Sequence, residues 1–284
     1  MRSKSALLLT LCLLILIPCL AQEQPFYFTM LTDTQFGMYA ADKSFAQETA
    51  NYEFAVAAVN RLKPGFVIVL GDLVNKPGDP AQIREYQRIS RKIDPSIPAY
   101  HMAGNHDVGN EPTPDSLAAY RKDFGRDYYS FRIGPVYGIV LNSTLIHSTK
   151  STRSEYEEQD AWLKKELAAA KASQAQSILV FQHHPCFLKD AQEDDRYENI
   201  PRERRLPLLA LFHEHGVRYV FAGHTHKNVA SQDGQLQVVA TGPVGKPLGQ
   251  DGSGIRIAAV TGAGVEHRYY DFGALPDRLS IPRK

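Results

Sequence analysis

Cysteine is nearly absent from this 284-residue chain, which carries only Cys12, Cys19 and Cys186. Two of the three fall in the first 21 residues. There Arg2 and Lys4 precede an apolar run from Ala6 to Ile17, and the short stretch Cys19-Leu20-Ala21 follows. That order predicts a secretory signal peptide over residues 1–21, cut after Ala21, and hence an exported protein, periplasmic or extracellular. The alternatives are an uncleaved anchor, for which the run is short, and a lipid at Cys19, which Pro18 directly before it suits poorly. Without the leader Cys186 stands alone. An internal disulfide is then excluded, and the fold must be held by its core. Cys186 reads first as a buried thiol and only second as a nucleophile.

A charge excess is missing too. The chain has 32 basic and 31 acidic side chains, and losing Arg2 and Lys4 leaves 30 against 31. So balanced a surface gives no electrostatic reason to expect nucleic acid as a partner. No membrane contact is expected beyond an N-terminal anchor, should the leader stay. Repeats and low-complexity tracts are also lacking. What is present is apolar: 43% of the residues are hydrophobic, enough for one large domain or two small ones.

The apolar residues fall into short runs. Strands are expected at 26–33, 66–71, 98–103, 128–133, 136–142, 177–182, 217–222, 236–240, 255–260 and 265–271, with hairpins at Gly134-Pro135 and at "TGAG". Helices are expected from "FAQETANYEFAVAAVNRL", where Phe54, Ala58 and Leu62 recur every four residues, and from "EEQDAWLKKELAAAKA", where Leu163, Leu167 and Ala170 share a face. A third, "RLPLLALFHEHG", ends on Gly216. The polar stretches 143–158 and 187–204 read as long loops. Strands alternating with helices, then extra hairpins, indicate a sheet-centred α/β domain with mixed pairing.

Five of these strands end in polar clusters. "LTDTQFG" carries Asp33 and Gln35, "VIVLGDLVN" Asp72, "AYHMAGNHD" Asn105, His106 and Asp107, "ILVFQHHP" His183 and His184, and "RYVFAGHTH" His224 and His226. Alternate residues of an extended chain share a face, so Asp33 and Gln35 point together, as do His224 and His226. Singly, each has a plain explanation: a cap or turn aspartate, a type I′ turn at "GNHD", a structural histidine. Together, each directly after an apolar strand, they suggest convergence, because strand ends of α/β sheets form ligand crevices. Clustered carboxylates and imidazoles are costly to bury unless cations accompany them.

In this order, D-x-Q, GD, GNHD, HH and GH-x-H, the chain resembles the calcineurin-like metallophosphoesterase superfamily over nearly the whole chain after the leader. It is most similar to one branch, the calcineurin-like phosphoesterase domain-containing 1 proteins of animals and their bacterial relatives, through "DTQFG", "LGDLVN", "GNHDVGN", "YYSF", "VLNS", "VFQHHPCFL", "EDDRYENI", "AGHTHKN" and "VEHRYY". The resemblance implies a single domain over 22–284, a four-layer α/β/β/α sandwich with two mixed β-sheets. It also implies two divalent metal ions (Mn, Mg, Fe or Zn). Asp33, Gln35, Asp72 and His226 would surround the first, and Asp72, Asn105, His183 and His224 the second, with Asp72 shared. His106 would be the acid beside the metals and Asp107 would orient it; His184 would touch substrate or pack. Most of the superfamily has histidine where Gln35 stands. A neutral amide oxygen suits harder ions better than imidazole does, so Gln35 is expected to re-tune the first site towards Mn²⁺ or Mg²⁺, or else to stand behind a water. The tyrosine of purple acid phosphatases, three residues after the bridging aspartate, is replaced by Asn75.

Phosphate monoesters are among the slowest substrates known, with enzymatic accelerations reaching about 10²¹, of which general acid–base help supplies roughly 10²–10⁴. Two metal ions are the expected source of much of the rest. The expected activity is therefore phosphomonoester hydrolysis, on a phosphoprotein or a phosphorylated small molecule. A phosphodiesterase or nucleotidase of the same fold and a non-catalytic metal-binding module are the alternatives. Arg153, Lys189, Arg196, Tyr197 and Arg202 in the two polar stretches are either substrate contacts or solvated loop residues.

Overall fold

The computed structural model describes residues 24–280, so the leader expected at 1–21 lies outside the described residues. In chain order the first half forms β1 (Phe26–Leu31), α1 (Ala46–Leu62), β2 (Val67–Val69), α2 (Pro80–Ser90), β3 (Ala99–His101), α3 (Asn105–Val108) and α4 (Pro114–Phe124). Then come β4 (Tyr129–Ile133), β5 (Val136–Val140), α5 (Ser143–His147), α6 (Arg153–Ala172), β6 (Ser177–Phe181), α7 (Arg202–Glu214) and β7 (Tyr219–Ala222). The chain closes with β8 (Val229–Asp233), β9 (Leu236–Ala240), β10 (Gly254–Thr261) and β11 (Gly264–Asp271), followed by one short 3₁₀ turn.

These strands make two mixed sheets, ordered β11-β10-β1-β2-β3 and β4-β5-β6-β7-β9-β8. β1, β2 and β3 run parallel, as do β5, β6, β7 and β9. The expected hairpins are β4–β5, closing at Ile133 opposite Val136, and β10–β11, closing at Thr261 opposite Gly264. Strands covered on both faces need continuous apolar sequence, and β2 and β5 are buried at every position.

Between the sheets, Phe28, Met30, Ile68 and Leu70 of the first meet Val140, Leu179, Phe181 and Phe221 of the second. Phe28 stacks on Phe66 at 4.7 Å and meets Phe181 and Phe221 edge-on at 6.1 and 6.0 Å. The outer face of the first sheet is covered from α1 and α2 by Tyr52, Val56, Val59, Tyr86 and Ile89. The outer face of the second is covered from α6 and α7 by Leu163, Leu167, Leu209 and Phe212. The result is the expected α/β/β/α sandwich. Among the described residues no helix is long and apolar enough to cross a membrane.

Some local expectations need correction. Phe54 does not join the buried face of α1; it is 49% exposed and leans on Phe272 at 4.9 Å. Ala58 and Leu62 of the four-residue series are buried as expected, alongside Tyr52, Ala55, Val56 and Val59. The stretch 143–158 is no long loop, because α5 and the first turns of α6 occupy most of it. β8 escaped the apolar pattern since it is an edge strand, paired only with β9 and half exposed.

Cys186 is fully buried, and burial pushes its thiol up to about 12. Thiolate is the reactive form. The folded protein should therefore resist a thiol-specific chromogenic reagent at neutral pH, and Cys186 should react only after denaturation.

Candidate metal centre

The carboxyl ends of β1, β2 and β3 face those of β6 and β7, and the five polar clusters meet there. Each chain segment turns sharply as it leaves its strand. Asp33, Gln35, Asp72, His224 and His226 all have φ between 39° and 70°, making them five of nine described non-glycine residues with positive φ. Such backbone costs about 1–3 kcal/mol per residue and persists only where surroundings enforce it. Here interstrand hydrogen bonds do: Asp33 N–H donates to Gly71 O at 3.1 Å and Gln35 N–H to Asp72 O at 2.9 Å. Two glycines allow the approach. A Cβ on Gly104 would lie 2.1 Å from Asp72 Oδ1, and one on Gly223 would lie 2.0 Å from Thr32 Oγ1.

Two groups of ligating atoms result, Asp33 with Asp72 and His226, and Asp72 with His183 and His224; within each, all atoms lie within 4.8 Å of one another. All five residues are buried. Asp72 Oδ1 accepts from the His106 backbone N–H at 2.9 Å and lies 3.3 Å from His183 Nε2. Asp33 Oδ1 lies 3.4 Å from His226 Nε2, while Asp33 Oδ2 accepts from Thr32 Oγ1 at 2.6 Å. Asn105 Oδ1 stands 3.0 Å from His183 Nε2, and the Asn105 amide donates to Asn110 Oδ1 and to the Tyr197 hydroxyl at 2.9 and 3.0 Å.

The histidine rings are fixed from behind by backbone carbonyls. His183 Nδ1 meets Leu70 O at 2.8 Å, His226 Nδ1 meets Lys246 O at 2.6 Å, and His224 Nε2 meets Tyr197 O at 3.1 Å. A carbonyl only accepts, so each of those nitrogens carries the proton. The other nitrogen of each ring points inward, the arrangement that metal-ligating histidines show. His184 has a different duty. Ser143 Oγ accepts the backbone N–H groups of His183 and His184 and faces His184 Nδ1 at 2.9 Å, while the His184 ring stacks on His147 at 4.6 Å. It packs beneath the centre.

Charge in the cluster is unbalanced. Burial raises the Asp33 carboxyl, while His183 and His106 hold the buried Asp72 below its ordinary range. Burial opposes a charged His183, yet Asp72 and Asp33 outweigh it and raise the ring. Two buried carboxylates thus compete for one imidazolium. Gln35 adds to the deficit: its Nε2 donates to Asn75 Oδ1 at 3.2 Å, but Oε1 is buried with no hydrogen-bond partner among the described residues. Converging oxygens and imidazole nitrogens, with the Gln35 oxygen orphaned, form a donor set suited to divalent cations that displace the imidazole proton.

The scan against family models matches calcineurin-like phosphoesterase over residues 26–228, a span holding every residue of this centre. The chain belongs to that family. Among curated proteins, mouse serine/threonine-protein phosphatase CPPED1 is 37% identical over 88% of this chain and 85% of its own. The human protein of that name is 36% identical over 89% and 86%. A probable cyclic nucleotide phosphodiesterase of Rhodopseudomonas palustris is 28% identical over 72% of each chain. Among solved structures, a dimetal phosphatase from Danio rerio superposes with a TM-score of 0.59 at 16% identity, covering 87% of this chain and all of that one. A purple acid phosphatase from yellow lupin gives 0.66 at 12%, covering 90% and 53%. This calcineurin-like phosphoesterase is therefore a hydrolase with a metal-binding centre at its strand ends.

One expected role changes. Asp107 does not orient His106. Its carboxylate accepts backbone N–H groups of Leu73 at 3.0 Å, Val74 at 3.1 Å and Gly104 at 2.8 Å. The His106 ring is held instead by Asn75 O, 2.8 Å from Nδ1. Asp107 ties the "GD" and "GNHD" loops together because loop amides left inside the fold need an acceptor. Nothing in the sequence marks Asn75 for this contact with His106, because the group that makes it is a main-chain carbonyl.

Gly104→Ala would drive a methyl into Asp72. It should lose bound metal while keeping the fold's circular dichroism, with metal content by mass spectrometry as the measure.

Proposed function

We propose that this protein is a phosphomonoesterase whose two divalent cations share the carboxylate of Asp72. The observation that carries this reading is that, among the described residues, Asp72 alone belongs to both candidate ligand groups. Asp33, Gln35, Asp72 and His226 would hold the first cation; Asp72, Asn105, His183 and His224 would hold the second. When bound, such a pair neutralises a phosphoryl group, orients it and makes a water acidic enough to attack near neutral pH.

The remaining work falls to side chains of this protein. His106 is half-buried at the edge of the centre, and Asn75 O keeps the proton on Nδ1. With the ring protonated on both nitrogens, Nε2 is the one that passes its proton to the departing alkoxide, leaving a neutral ring with its proton on Nδ1. Asp107, through three backbone amides, fixes the loop that carries His106 relative to Asp72. Phosphoserine or phosphothreonine is the substrate class that the CPPED1 relatives support. The Rhodopseudomonas relative supports a second reading, diester hydrolysis, and a parallel assay on a monoester and a diester separates the two. The leader pattern of residues 1–21 supports an exported enzyme.

Asp72→Asn or His224→Ala should abolish metal binding and turnover together. His106→Ala should keep both metals and lose about 10²–10⁴ in rate on alkyl esters, with a much smaller loss on esters whose leaving group needs no proton. Equal losses on both ester classes would remove His106 as the acid.

We further propose that Gln35 favours Mn²⁺ or Mg²⁺ at the first site, on the strength of its orphaned Oε1. Gln35→His should shift metal retention towards iron or zinc, measured by competitive loading and elemental analysis. Unchanged preference and stoichiometry would show that the amide does not ligate.

A further inference from the structure

The polar segment between β6 and α7 is unusually well built for a loop. Arg205 of α7 is wholly buried, and its guanidinium donates to three carbonyls of this segment: Ala191 at 2.8 Å, Ile200 at 3.0 Å, and Glu193. The Glu193 carboxylate accepts backbone N–H groups of Leu188 and Lys189, each at 2.9 Å, and the Asn199 amide at 2.7 Å. Asn199 Oδ1 accepts the Arg196 N–H at 2.9 Å. A buried guanidinium and a carboxylate spent on main-chain groups fix a conformation; they add no apolar core.

What that conformation presents is Tyr197. The residue is 50% exposed, yet its ring centroid lies 4.7 Å from that of His224, and its carbonyl orients the same histidine. Its phenolic oxygen accepts from Asn105 Nδ2 at 3.0 Å. The phenol's own proton has no acceptor among the described residues. A phenol keeps that proton at neutral pH. A rigidly held donor therefore stands at the open edge of the His183–His224 group, one amide away from it.

We propose that Tyr197 is a substrate-binding residue whose hydroxyl donates to a phosphoryl oxygen at the His183–His224 side of the centre. The inference rests on the metal-centre reading above and adds to it a contact from outside the five strand-end clusters. A rigid donor of this kind needs no reorganisation when the anion arrives. It recognises the phosphoryl group common to monoesters and to inorganic phosphate.

The test is Tyr197→Phe, which keeps the ring beside His224 and the backbone carbonyl behind it. Manganese-loaded wild type and variant are titrated with inorganic phosphate by calorimetry, assayed on a phosphomonoester, and analysed for metal. The expected result is unchanged metal content with phosphate affinity and kcat/KM each lowered about 10- to 100-fold, the range for one hydrogen bond to a charged group. Affinity and kcat/KM within twofold of wild type would overturn the proposal, as would failure of wild type to bind phosphate. Loss of metal from the variant would also overturn it, since the hydroxyl would then act by holding Asn105. Wild type that binds phosphate through its metals but hydrolyses no ester would sink the phosphoesterase reading and leave the Tyr197 contact to be judged by affinity alone.

Discussion

Everything in this molecule turns on a buried carboxylate that serves two neighbours. Asp72 sits at the end of β2 with a backbone that must pass through the left-handed region. Its Oδ1 already accepts an amide from the "GNHD" loop and lies beside a histidine from the opposite sheet. A second carboxylate, Asp33, is close enough to compete for the same protonated ring. In a dry interior the electrostatic cost of this pairing is several kcal/mol per uncompensated ion. The polypeptide supplies one imidazolium where two anions ask for balance. Divalent cations would resolve the conflict, and the two-sheet architecture holds these groups together at this edge.

That explains why the strain lies where it does. Main-chain torsion is concentrated at the ligating residues, and the glycines beside them leave no room for a methyl group. Rigidity comes from behind the ligands. Carbonyls of Leu70, Lys246 and Tyr197 lock the three rings, and the Asp107 carboxylate gathers three loop amides. The inter-sheet aromatic layer of Phe28, Phe66, Phe181 and Phe221 then sets the distance between the two halves of the centre. A core substitution there would alter ligand spacing without touching a ligand, which makes packing part of the metal chemistry.

The convergence of these side chains was legible in the sequence because folding alone gives little reason to end five apolar strands in aspartate, asparagine and histidine. The sandwich was legible for a related reason: doubly covered strands require unbroken apolar runs, and β2 and β5 have them. Failures came where side chains carry no signal. Asn75, Leu70 and Lys246 act through carbonyls, which every residue possesses, so their partners could be named only once the chain was folded. Asp107 was misread for the complementary reason: a carboxylate next to a histidine in sequence looks like its partner, while its oxygens turn to amides of another loop. Phe54 departs because a four-residue series drifts round a helix of about 3.6 residues per turn, so Ala58 and Leu62 stay on the buried face while Phe54 leaves it.

The two polar stretches show how far composition can mislead about order. One of them, 143–158, is mostly helical, and Ser143 at its start supports two consecutive backbone amides beneath the centre. The other remains a loop but is wired by Arg205, Glu193 and Asn199 as densely as secondary structure. Polarity in these segments records hydrogen bonding within the loop, and the rigidity that follows lets Tyr197 reach across to His224 and Asn105. A flexible loop of the same composition would have to pay ordering entropy whenever a ligand arrived, at roughly 1–2 kcal/mol per residue fixed. Settling that cost during folding leaves the entrance to the centre with one shape, and a centre of one shape can discriminate among the esters that approach it.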